Sequence, residues 1–395
     1  MPIYIHDCGF HSALGSQITD IHHRLESGYN PNMVEDLQIL NDGKATIVGR
    51  VSESLPSLPE YLQKFNTRNN RLALSALKQI EPTIELMKKQ YGTDRIAIVV
   101  GTSTSGIADG ETAFKHKLDN GQFPGDFSYS QQELGNITDF LSQYYDINGP
   151  HYAISTACSS SGRVFLTAQR LLNSGMVDAV LVGGADTLCK LTLNGFHGLE
   201  ALSSTLCQPF SSKRNGINIG EAAAFMLLSK NKPASDSRPT IALLGAGDSS
   251  DAHHISAPHP EGNGAEQAMK KALHAAQLSP QDIGYINAHG TATPLNDSME
   301  SKAIHRVFGA KVPVSSTKPI TGHTLGAASA VEAAIAWHIL KHNLPLPLQK
   351  CQDKAADIDI DLINCPQQIK KTNILSNSFA FGGNNISLIF GVVND

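Results

Sequence analysis

The chain has 395 residues, of which 41% are hydrophobic and 17% are charged, and its formal net charge is −5. This length exceeds one ordinary hydrophobic core and therefore predicts two domains or two fused halves. The acidic balance, without a long charged run, argues against nucleic acid as a partner.

The 6 cysteines are spread along the chain without a CxxC pair, which favours a reducing compartment over a disulfide framework. The first residues lack the basic and apolar regions of a signal peptide. The long apolar stretches carry Gly, His or Glu too often to span a bilayer. We therefore expect a soluble cytoplasmic protein that does not associate with membranes.

Strand and helix signals alternate along the chain, which predicts an α/β layered fold. Short strands rich in β-branched residues are predicted at 2–6, 95–101, 151–155 and 178–184. A helix is predicted over 160–174, because apolar residues recur there on one helical face: Val164, Phe165, Ala168, Leu171 and Leu172.

A polar segment with two prolines, residues 229–240, predicts a linker. After it the pattern resumes with a strand at 241–247, a helix at 264–278 and a strand at 282–290. The segments before and after this linker show comparable patterns of strands and helices. We therefore predict a duplicated α/β unit, with halves at 1–235 and 236–395.

The stretch "HYAISTACSSSG" at 151–162 places Cys158 between a predicted strand and a predicted helix. A thiol at a helix N-terminus lies near unpaired N–H groups and the positive end of the helix dipole, which lower its pKa and favour a nucleophilic thiolate. The small residues around it leave room for a substrate. Taken alone, a single cysteine is more often a buried and inert core residue, so that alternative stays open at this point.

Two loops carry histidines in positions that suit ligand binding. His289 follows the strand "IGYINA", at the edge where α/β proteins place functional groups, and His323 precedes an Ala-rich helix. Either histidine alone is more simply interpreted as a hydrogen-bonded structural residue.

The helix after His323 is apolar nearly all round and should be buried, which makes Glu332 in its middle anomalous. A buried carboxylate needs a cation or hydrogen-bond donors, and Lys318 is the nearest cation in the sequence. We predict a buried Lys318–Glu332 interaction, direct or through water, close to His323. The alternative is that Glu332 reaches solvent at one edge of the helix.

The segment "NSFAFGGNN" at 377–385 sets two phenylalanines against Gly382 and Gly383, which predicts positive φ or a close backbone approach to a ligand. An ordinary turn before the last strand is the alternative. In "DAHHISAPHP" at 251–260, three histidines can be drawn as zinc ligands, although no supporting carboxylate pattern is clear. These histidines are His253, His254 and His259.

Six segments together resemble the β-ketoacyl-ACP synthases, the elongating condensing enzymes of the thiolase superfamily. They are "TACSSSG", "PFSSKRNGINIGEAAAF", "DAHHISAPHPEG", "NAHGTATPLNDSMES", "SSTKPITGHTLGAASAVEA" and "NSFAFGGNN", in the family's order. The resemblance implies a thiolase-like, five-layered αβαβα sandwich of two similar halves. It also implies a decarboxylative condensation of malonyl-ACP with an acyl group held on a cysteine, in fatty-acid or polyketide/polyene-type chain elongation.

The same resemblance implies an acyl carrier protein as partner, no cofactor, no catalytic metal, and either a homodimer or a heterodimer with a chain length factor. A non-catalytic subunit of the chain-length-factor kind is the alternative. It is disfavoured because Cys158, His289 and His323 are all present. A degradative thiolase is disfavoured because the C-terminal Gly-rich loop lacks a second cysteine.

By position, the resemblance assigns the acylated nucleophile to Cys158 and the two active-site histidines to His289 and His323, with Lys318 and Glu332 near the second. The phosphopantetheine arm is assigned to Thr291 and Thr293. The gate is assigned to Phe379, Phe381, Gly382 and Gly383, and the oxyanion hole to the N–H groups of Cys158 and Phe381. A loop that moves with the gate carries Asp251 and His254, and a structural cation in some members lies near Asp297 and Glu300.

Departures from the family pattern add further expectations. Ala380 and Asn384 stand in the gate segment where Gly and Thr are commoner, and Gly162 either widens the acyl channel or eases helix packing. The small hydroxyl residues at 101–107 suggest a roomier or more polar acyl pocket, suited to polyene or aryl-primed chains. An acidic carrier protein requires a basic patch, unless these residues form an ordinary solvated helix face: Lys64, Arg68, Arg71, Lys115 and Lys117.

Overall fold

The computed structural model describes residues 2–233, 238–251, 253–349, 351 and 353–393. Its strands are β1 (Ile3–Ser12), β2 (Met33–Asp36), β3 (Thr46–Gly49), β4 (Ile96–Gly101), β5 (His151–Ile154), β6 (Ala179–Asp186), β7 (Ile219–Gly220), β8 (Ala222–Ser229), β9 (Thr240–Ser250), β10 (Tyr285–Asn287), β11 (Pro313–Ser315), β12 (Asp361–Leu362), β13 (Asn373–Phe379) and β14 (Asn384–Val393).

Its α-helices are α1 (Ile18–Ser27), α2 (Arg68–Leu77), α3 (Glu81–Tyr91), α4 (Ile107–Asn120), α5 (Asn136–Tyr145), α6 (Ser160–Asn173), α7 (Lys190–Gly198), α8 (Asn263–Ala276), α9 (Pro294–Phe308), α10 (Lys318–Thr321) and α11 (Ala328–His342). Short 3-10 turns lie at Glu60–Phe65, Thr93–Arg95, Tyr129–Gln132, Pro280–Asp282 and Leu325–Ala327.

The main sheet has eleven strands in the order β12-β11-β10-β13-β14-β9-β1-β8-β6-β4-β5. From β1 outwards, pairing runs antiparallel to β8, antiparallel to β6, then parallel to β4 and β5. From β9 outwards the sequence is the same: antiparallel to β14 and β13, then parallel to β10 and β11. β1 and β9 join the two sets as an antiparallel pair. This repeated pattern confirms the predicted duplication.

Helices cover the two sets of strands in layers. α6 and α11 pack against each other and against strands of both sets, so they form the central layer. α2 and α5 cover the outer face of the first set, and α8 covers the outer face of the second, where α9 packs on α8. Separate apolar clusters fill the central and the two outer interfaces. The result is the five-layered αβαβα arrangement that the resemblance implied.

The predicted elements are found with shifted ends. β4, β5, β6 and α6 match their predicted ranges closely, whereas β1 extends to Ser12. β10 ends at Asn287, earlier than predicted: the Ala288 N–H still donates to Ser315 of β11, but the N–H groups of His289 and Gly290 bond to Glu300 instead. The predicted boundary between residues 235 and 236 lies outside the described residues. Within the described ranges, none of the helices combines the length and the apolar character needed to cross a bilayer.

Candidate active site

Cys158 lies in the tight turn between β5 and α6. Its thiol is nearly buried, with 6% of the residue exposed, and the preceding Ala157 holds a left-handed φ of 52°. A non-glycine residue with positive φ is uncommon and marks a constrained turn. The turn therefore holds Cys158 in one fixed position just before α6, as the sequence predicted.

His323 contacts the thiol directly. Its Nε2 lies 3.0 Å from Cys158 Sγ, and its Nδ1 accepts a hydrogen bond from the Leu325 N–H at 3.1 Å. Because Nδ1 is an acceptor, the proton of the neutral ring is on Nε2. His323 therefore points an N–H donor at the sulfur of Cys158.

His289 completes a group of three. One ring nitrogen of His289, one of His323 and the Cys158 sulfur all lie within 4.8 Å of one another. The two imidazole rings are perpendicular, with centroids 5.3 Å apart. His289 Nδ1 is buried and has no hydrogen-bond partner in the described part of the chain. The ring of His289 is therefore not fixed in one tautomer by a neighbour at Nδ1.

Both histidines are held neutral. Burial lowers the pKa of His289 and of His323 well below the ordinary value, and the positive charge of Lys318 lowers each of them further. Neutral imidazole supplies one N–H donor and one acceptor per ring, whereas imidazolium supplies two donors. At neutral pH both donor and acceptor chemistry are thus available beside Cys158.

The predicted Lys318–Glu332 interaction is confirmed. Lys318 Nζ lies 2.6 Å from Glu332 Oε1, and the two side chains are only 2% and 3% exposed. Burial raises the pKa of the Glu332 carboxyl, and the lysine opposes that shift. The alternative, in which Glu332 reaches solvent, is wrong for this structure.

A pair of serines connects this ion pair to the turn of Cys158. Ser378 Oγ donates to Glu332 Oε2 at 3.3 Å, and Ser329 Oγ donates to Ser378 Oγ at 2.7 Å. Ser329 also lies 3.5 Å from the carbonyl of Cys158. The sequence reasoning missed both serines; their only signal was a position one turn from Glu332 and one residue from Phe379.

The expected lowered pKa of the Cys158 thiol is wrong. Burial raises the pKa of Cys158 to about 11, although the charge of Lys318 and the backbone N–H groups of Phe381 and Cys158 oppose the shift. Loss of solvent around the sulfur disfavours the thiolate, and this burial could not be predicted from the residues next to Cys158 in the sequence. The resting side chain is therefore a thiol.

The gate segment packs over this group. The Phe379 ring lies 6.3 Å from the His289 ring, and the Phe381 ring lies 5.8 Å from that of Phe196, a residue that sequence reasoning missed. Gly382 and Gly383 have φ of 80° and 79°, which confirms the predicted positive φ. A methyl group on Gly383 would lie 1.9 Å from the Asp251 carbonyl, so only glycine fits there.

Asp251 and the loop after it contact the gate, in agreement with the resemblance. The Asp251 N–H donates to the Gly383 carbonyl at 2.8 Å, and the Gly382 N–H donates to the Ile255 carbonyl at 2.9 Å. His254 is exposed on the same loop and accepts a hydrogen bond from the Ser256 N–H. Its proposed part in gate movement stays a prediction.

A cavity connects Cys158 with both histidines, the gate and the two predicted threonines. The Oγ1 atoms of Thr291 and Thr293 lie 2.9 Å apart at its wall. The assignment of these hydroxyls to the phosphopantetheine arm stays a prediction. The lining residues are Cys158, Phe196, Ala201, Ile217, Asp251, Pro258, His289, Thr291, Thr293, Asn296, His323, Phe379, Ala380, Phe381, Gly383 and Asn385.

Asp297 and Glu300 are fully buried and act as anchors for backbone. The two oxygens of Glu300 accept the N–H groups of His289 and Gly290, and those of Asp297 accept the N–H groups of Ala292 and Phe210. Burial raises the pKa of Asp297 to about 6 and that of Glu300 to about 7. This anchoring accounts for both carboxylates without a cation, and the cation that the resemblance implies nearby stays a prediction.

Two members of the predicted basic patch have internal partners instead. Arg68 forms an ion pair with the buried Glu221 at 2.6 Å, and Arg71 donates to the carbonyls of Leu55 and Pro56. Their guanidinium groups are therefore committed to the fold. The members of the predicted patch that stay exposed are Lys64, Lys115 and Lys117.

The expectation of a roomier or more polar acyl pocket at 101–107 stays a prediction, although three of the four hydroxyl groups in this segment have internal partners. The hydroxyls of Thr102 and Thr104 donate to Asp186 Oδ1 at 2.8 and 2.7 Å, and Ser105 Oγ donates to backbone carbonyls. Asp186 Oδ2 accepts the Ala327 N–H at 3.0 Å. The two threonine hydroxyls thus anchor Asp186, a residue missed in the sequence, and Asp186 ties this turn to the start of α11.

Gly162 serves helix packing. A methyl group there would lie 2.5 Å from Ile386 Cγ2 and 2.9 Å from Ser329 Oγ, and Gly162 does not line the cavity at Cys158. The alternative role in the acyl channel is therefore not supported. As for zinc, the groups of ligand atoms that approach one another among the described residues do not include His253, His254 and His259.

Comparison with known families agrees with this geometry. The model of the β-ketoacyl synthase N-terminal domain matches residues 56–234, and that of the β-ketoacyl synthase C-terminal domain matches residues 241–351. The 3-oxoacyl-[acyl-carrier-protein] synthase 2 of Staphylococcus aureus (strain COL) is 32% identical over 351 residues, covering 85% of this chain and 85% of the relative.

Solved structures give the same result. A ketosynthase in complex with its chain length factor from Xenorhabdus doucetiae matches with a TM-score of 0.94 and 48% identity, over 99% of this chain and 98% of that one. A β-ketoacyl synthase from Burkholderia phymatum STM815 matches with a TM-score of 0.87 and 27% identity, over 100% of both chains. The chain therefore belongs to the β-ketoacyl synthase family, within the thiolase superfamily.

Proposed function

We propose that this chain is a catalytically active β-ketoacyl-[acyl-carrier-protein] synthase in which Cys158 carries the acyl group. The observation that supports this most is the meeting of Cys158, His289 and His323 within 4.8 Å in a buried cavity behind a phenylalanine gate. A non-catalytic, chain-length-factor-like subunit has no use for a nucleophile with two neutral histidines beside it. The chain-length-factor-like alternative therefore leaves the grouping of Cys158, His289 and His323 unexplained.

In the first half-reaction, Cys158 Sγ attacks the thioester carbonyl of an acyl carrier protein. The new bond is Sγ–C, the carbonyl–sulfur bond to phosphopantetheine breaks, and the thiol proton of Cys158 passes to the departing sulfur. The backbone N–H groups of Cys158 and Phe381 act on the Cys158 sulfur, which supports their proposed role as the oxyanion hole. One such donor lowers the barrier by roughly 3–4 kcal/mol.

In the second half-reaction, malonyl-ACP loses CO2 and the resulting carbanion attacks the acyl carbonyl on Cys158. The products are 3-oxoacyl-ACP and the thiolate, which takes a proton back from solvent. The thioester oxygen of the enolate needs hydrogen-bond donors, and His323 offers a fixed Nε2–H. His289, with no partner at Nδ1, is the histidine that can hold or release a proton.

Lys318 and Glu332 are positioning residues in this scheme. Burial keeps both histidines neutral, and the charge of Lys318 lowers the pKa of each further. Glu332 neutralises the buried lysine and reaches the turn of Cys158 through Ser378 and Ser329. Thr291 and Thr293 are proposed to hold the phosphopantetheine arm.

Substitutions of Cys158 test the proposal. Cys158→Ala should abolish condensation, because no acyl-enzyme forms. Cys158→Gln, which mimics the acylated state, should retain decarboxylation of malonyl-ACP. Unchanged condensation by the Cys158→Ala chain would overturn the assignment and leave the non-catalytic alternative.

We also propose that this chain assembles with a chain length factor. The support is its 48% identity to a ketosynthase solved in such a complex, together with an apolar exposed surface. Phe114, Tyr129 and Leu191 line one surface groove and are 55%, 73% and 61% exposed. β5 is one of the two edge strands of the main sheet, which leaves one side of its backbone open to a partner strand.

Size-exclusion chromatography of the co-expressed pair tests this assembly. Leu191→Glu should weaken the complex, whereas Leu86→Glu, an equally exposed leucine on α3, should not. A chain that stays monomeric with the partner, or a homodimer unaffected by Leu191→Glu, would contradict the proposal.

The remaining expectations are part of the same proposal. The carrier protein docks near the exposed Lys64, Lys115 and Lys117, and charge reversal there should raise KM for acyl-ACP.

The halves 1–235 and 236–395 are proposed as two fused thiolase-like units, supported by the repeated strand pattern. A cytoplasmic location is proposed because all six cysteines are free.

A further inference from the structure

A second histidine cluster lies between α1 and α11. His338 and His342 are four residues apart on α11 and therefore share one helical face, which meets His22 of α1. His338 lies nine residues beyond Ser329, or roughly 14 Å along the helix from the turn of Cys158. The cluster is thus separate from the cavity that holds the thiol.

The three side chains present nitrogens that have no partner. His22 Nε2, His338 Nδ1 and His342 Nε2 are all buried, and none accepts or donates a hydrogen bond in the described part of the chain. One nitrogen from each side chain lies within 4.8 Å of the other two. Unpartnered buried polar atoms are uncommon and costly in folded proteins, so three within one cluster of side chains require an explanation.

The surroundings of the three histidines keep their rings neutral, and the side of the cluster formed by His22 and His342 is partly exposed. His338 is 5% exposed and packs edge-on against Phe10 and Trp337, whereas His22 and His342 are half-buried. Burial lowers the pKa of all three, that of His338 to about 3 and that of His342 to about 4. Neutral imidazoles at neutral pH have free lone pairs, which metal binding requires.

The chemistry of the cluster selects the kind of metal. Three imidazole nitrogens suit Zn²⁺, Co²⁺, Ni²⁺ or Cu²⁺, whereas Mg²⁺ and Ca²⁺ prefer oxygen. The cations Arg238 and Lys341 lie close enough to lower the pKa of His342, and they oppose any bound cation. Only a metal with a strong preference for imidazole overcomes that repulsion.

We propose that His22, His338 and His342 form a binding site for a transition-metal ion of the zinc type, with water in the fourth position. A tetrahedral ion with Zn–N bonds of ~2.0–2.1 Å needs its nitrogens ~3.4 Å apart, so nitrogens that lie within 4.8 Å of one another have to approach by at most about 1.4 Å. Side-chain rotation of the half-buried His22 and His342 provides this. The ion would join α1, near the start of the chain, to α11, near its end.

Zinc binding to the Cys158→Ala chain tests the site. This background removes the other candidate cluster, Cys158 with His289 and His323, whose ligand atoms are equally close. After treatment with a chelator, the chain should bind one Zn²⁺ with a rise in melting temperature, and Co²⁺ should give tetrahedral absorption bands. His338→Gln and His342→Gln should each weaken binding more than roughly tenfold. The matched control is His23→Gln, an exposed neighbour on α1 that should bind as before.

The proposal fails if the Cys158→Ala chain takes up no stoichiometric Zn²⁺, or if His342→Gln binds it with unchanged affinity. Condensation activity of His342→Gln in the chain that retains Cys158 separates loss of the site from loss of the fold, because His342 is outside the catalytic group. Normal activity together with lost binding supports the site. Loss of both by His342→Gln but not by His338→Gln would indicate a folding defect and overturn the assignment of His342 as a ligand.

Discussion

Removing one partner of the Lys318–Glu332 pair should destabilise the fold far more than removing both. Glu332→Gln leaves the ammonium of Lys318, which is 2% exposed, without a counter-charge in the central layer. At the observed separation of 2.6 Å, the gross attraction is about 6 kcal/mol at an effective dielectric constant of about 20. Because the desolvation of both ions offsets much of that attraction, breaking a buried pair costs about 3–5 kcal/mol of the free energy of unfolding.

The double variant Lys318→Met/Glu332→Leu replaces the pair by apolar side chains of similar length. It should recover most of the lost stability, since no uncompensated charge remains buried. Urea unfolding of the wild type, both single variants and the double variant at one protein concentration gives the coupling energy directly. Restored stability should come without restored condensation, because Lys318 no longer acts on the histidines.

A loss below about 1 kcal/mol in the free energy of unfolding of Glu332→Gln would refute this reasoning, because an ion pair exposed to water contributes only that much stability. A cost for the double variant equal to the sum of the two single costs would also refute it, since the two residues would then act independently.

Three further predictions follow from other contacts. Gly162→Ala should cost about 1–3 kcal/mol in urea unfolding, because its methyl group would lie 2.5 Å from Ile386, whereas Gly125→Ala, with open space around it, should be nearly neutral. Arg68→Ala should cost about 3 kcal/mol, because it leaves the buried Glu221 unpaired; a raised KM for acyl-ACP at unchanged stability would indicate carrier docking instead. Alkylation of Cys158 by iodoacetamide should accelerate roughly tenfold per pH unit from 7 to 10, since its pKa is raised to about 11 and the thiolate fraction grows throughout that range; a plateau near pH 7 would show that the thiol is already ionised.

Patterns within one stretch of sequence predicted much of the architecture. The apolar face of 160–174 located α6, and the β-branched runs located β4 and β6. The apolar surroundings of Glu332 predicted its burial, and with it the ion pair to Lys318. These predictions succeed because periodicity and the cost of a buried charge are properties of neighbouring residues.

Features that depend on distant segments could not be predicted in this way. Arg68 finds Glu221 across 153 residues, and Asp186 collects the hydroxyls of Thr102 and Thr104 from 84 and 82 residues away. The pKa of Cys158 follows from burial by both halves, whereas the sequence argument considered only its own helix. Solvent exclusion at a site requires the tertiary structure.

Mass spectrometry of the chain after exposure to a panel of acyl-ACPs tests directly whether Cys158 carries the acyl group. The chain should gain one acyl group on the peptide that contains Cys158. Addition of malonyl-ACP should remove that group and yield 3-oxoacyl-ACP of the corresponding length. An acyl group on any other residue, or 3-oxoacyl-ACP formed without an adduct and equally by the Cys158→Ala chain, would contradict the account.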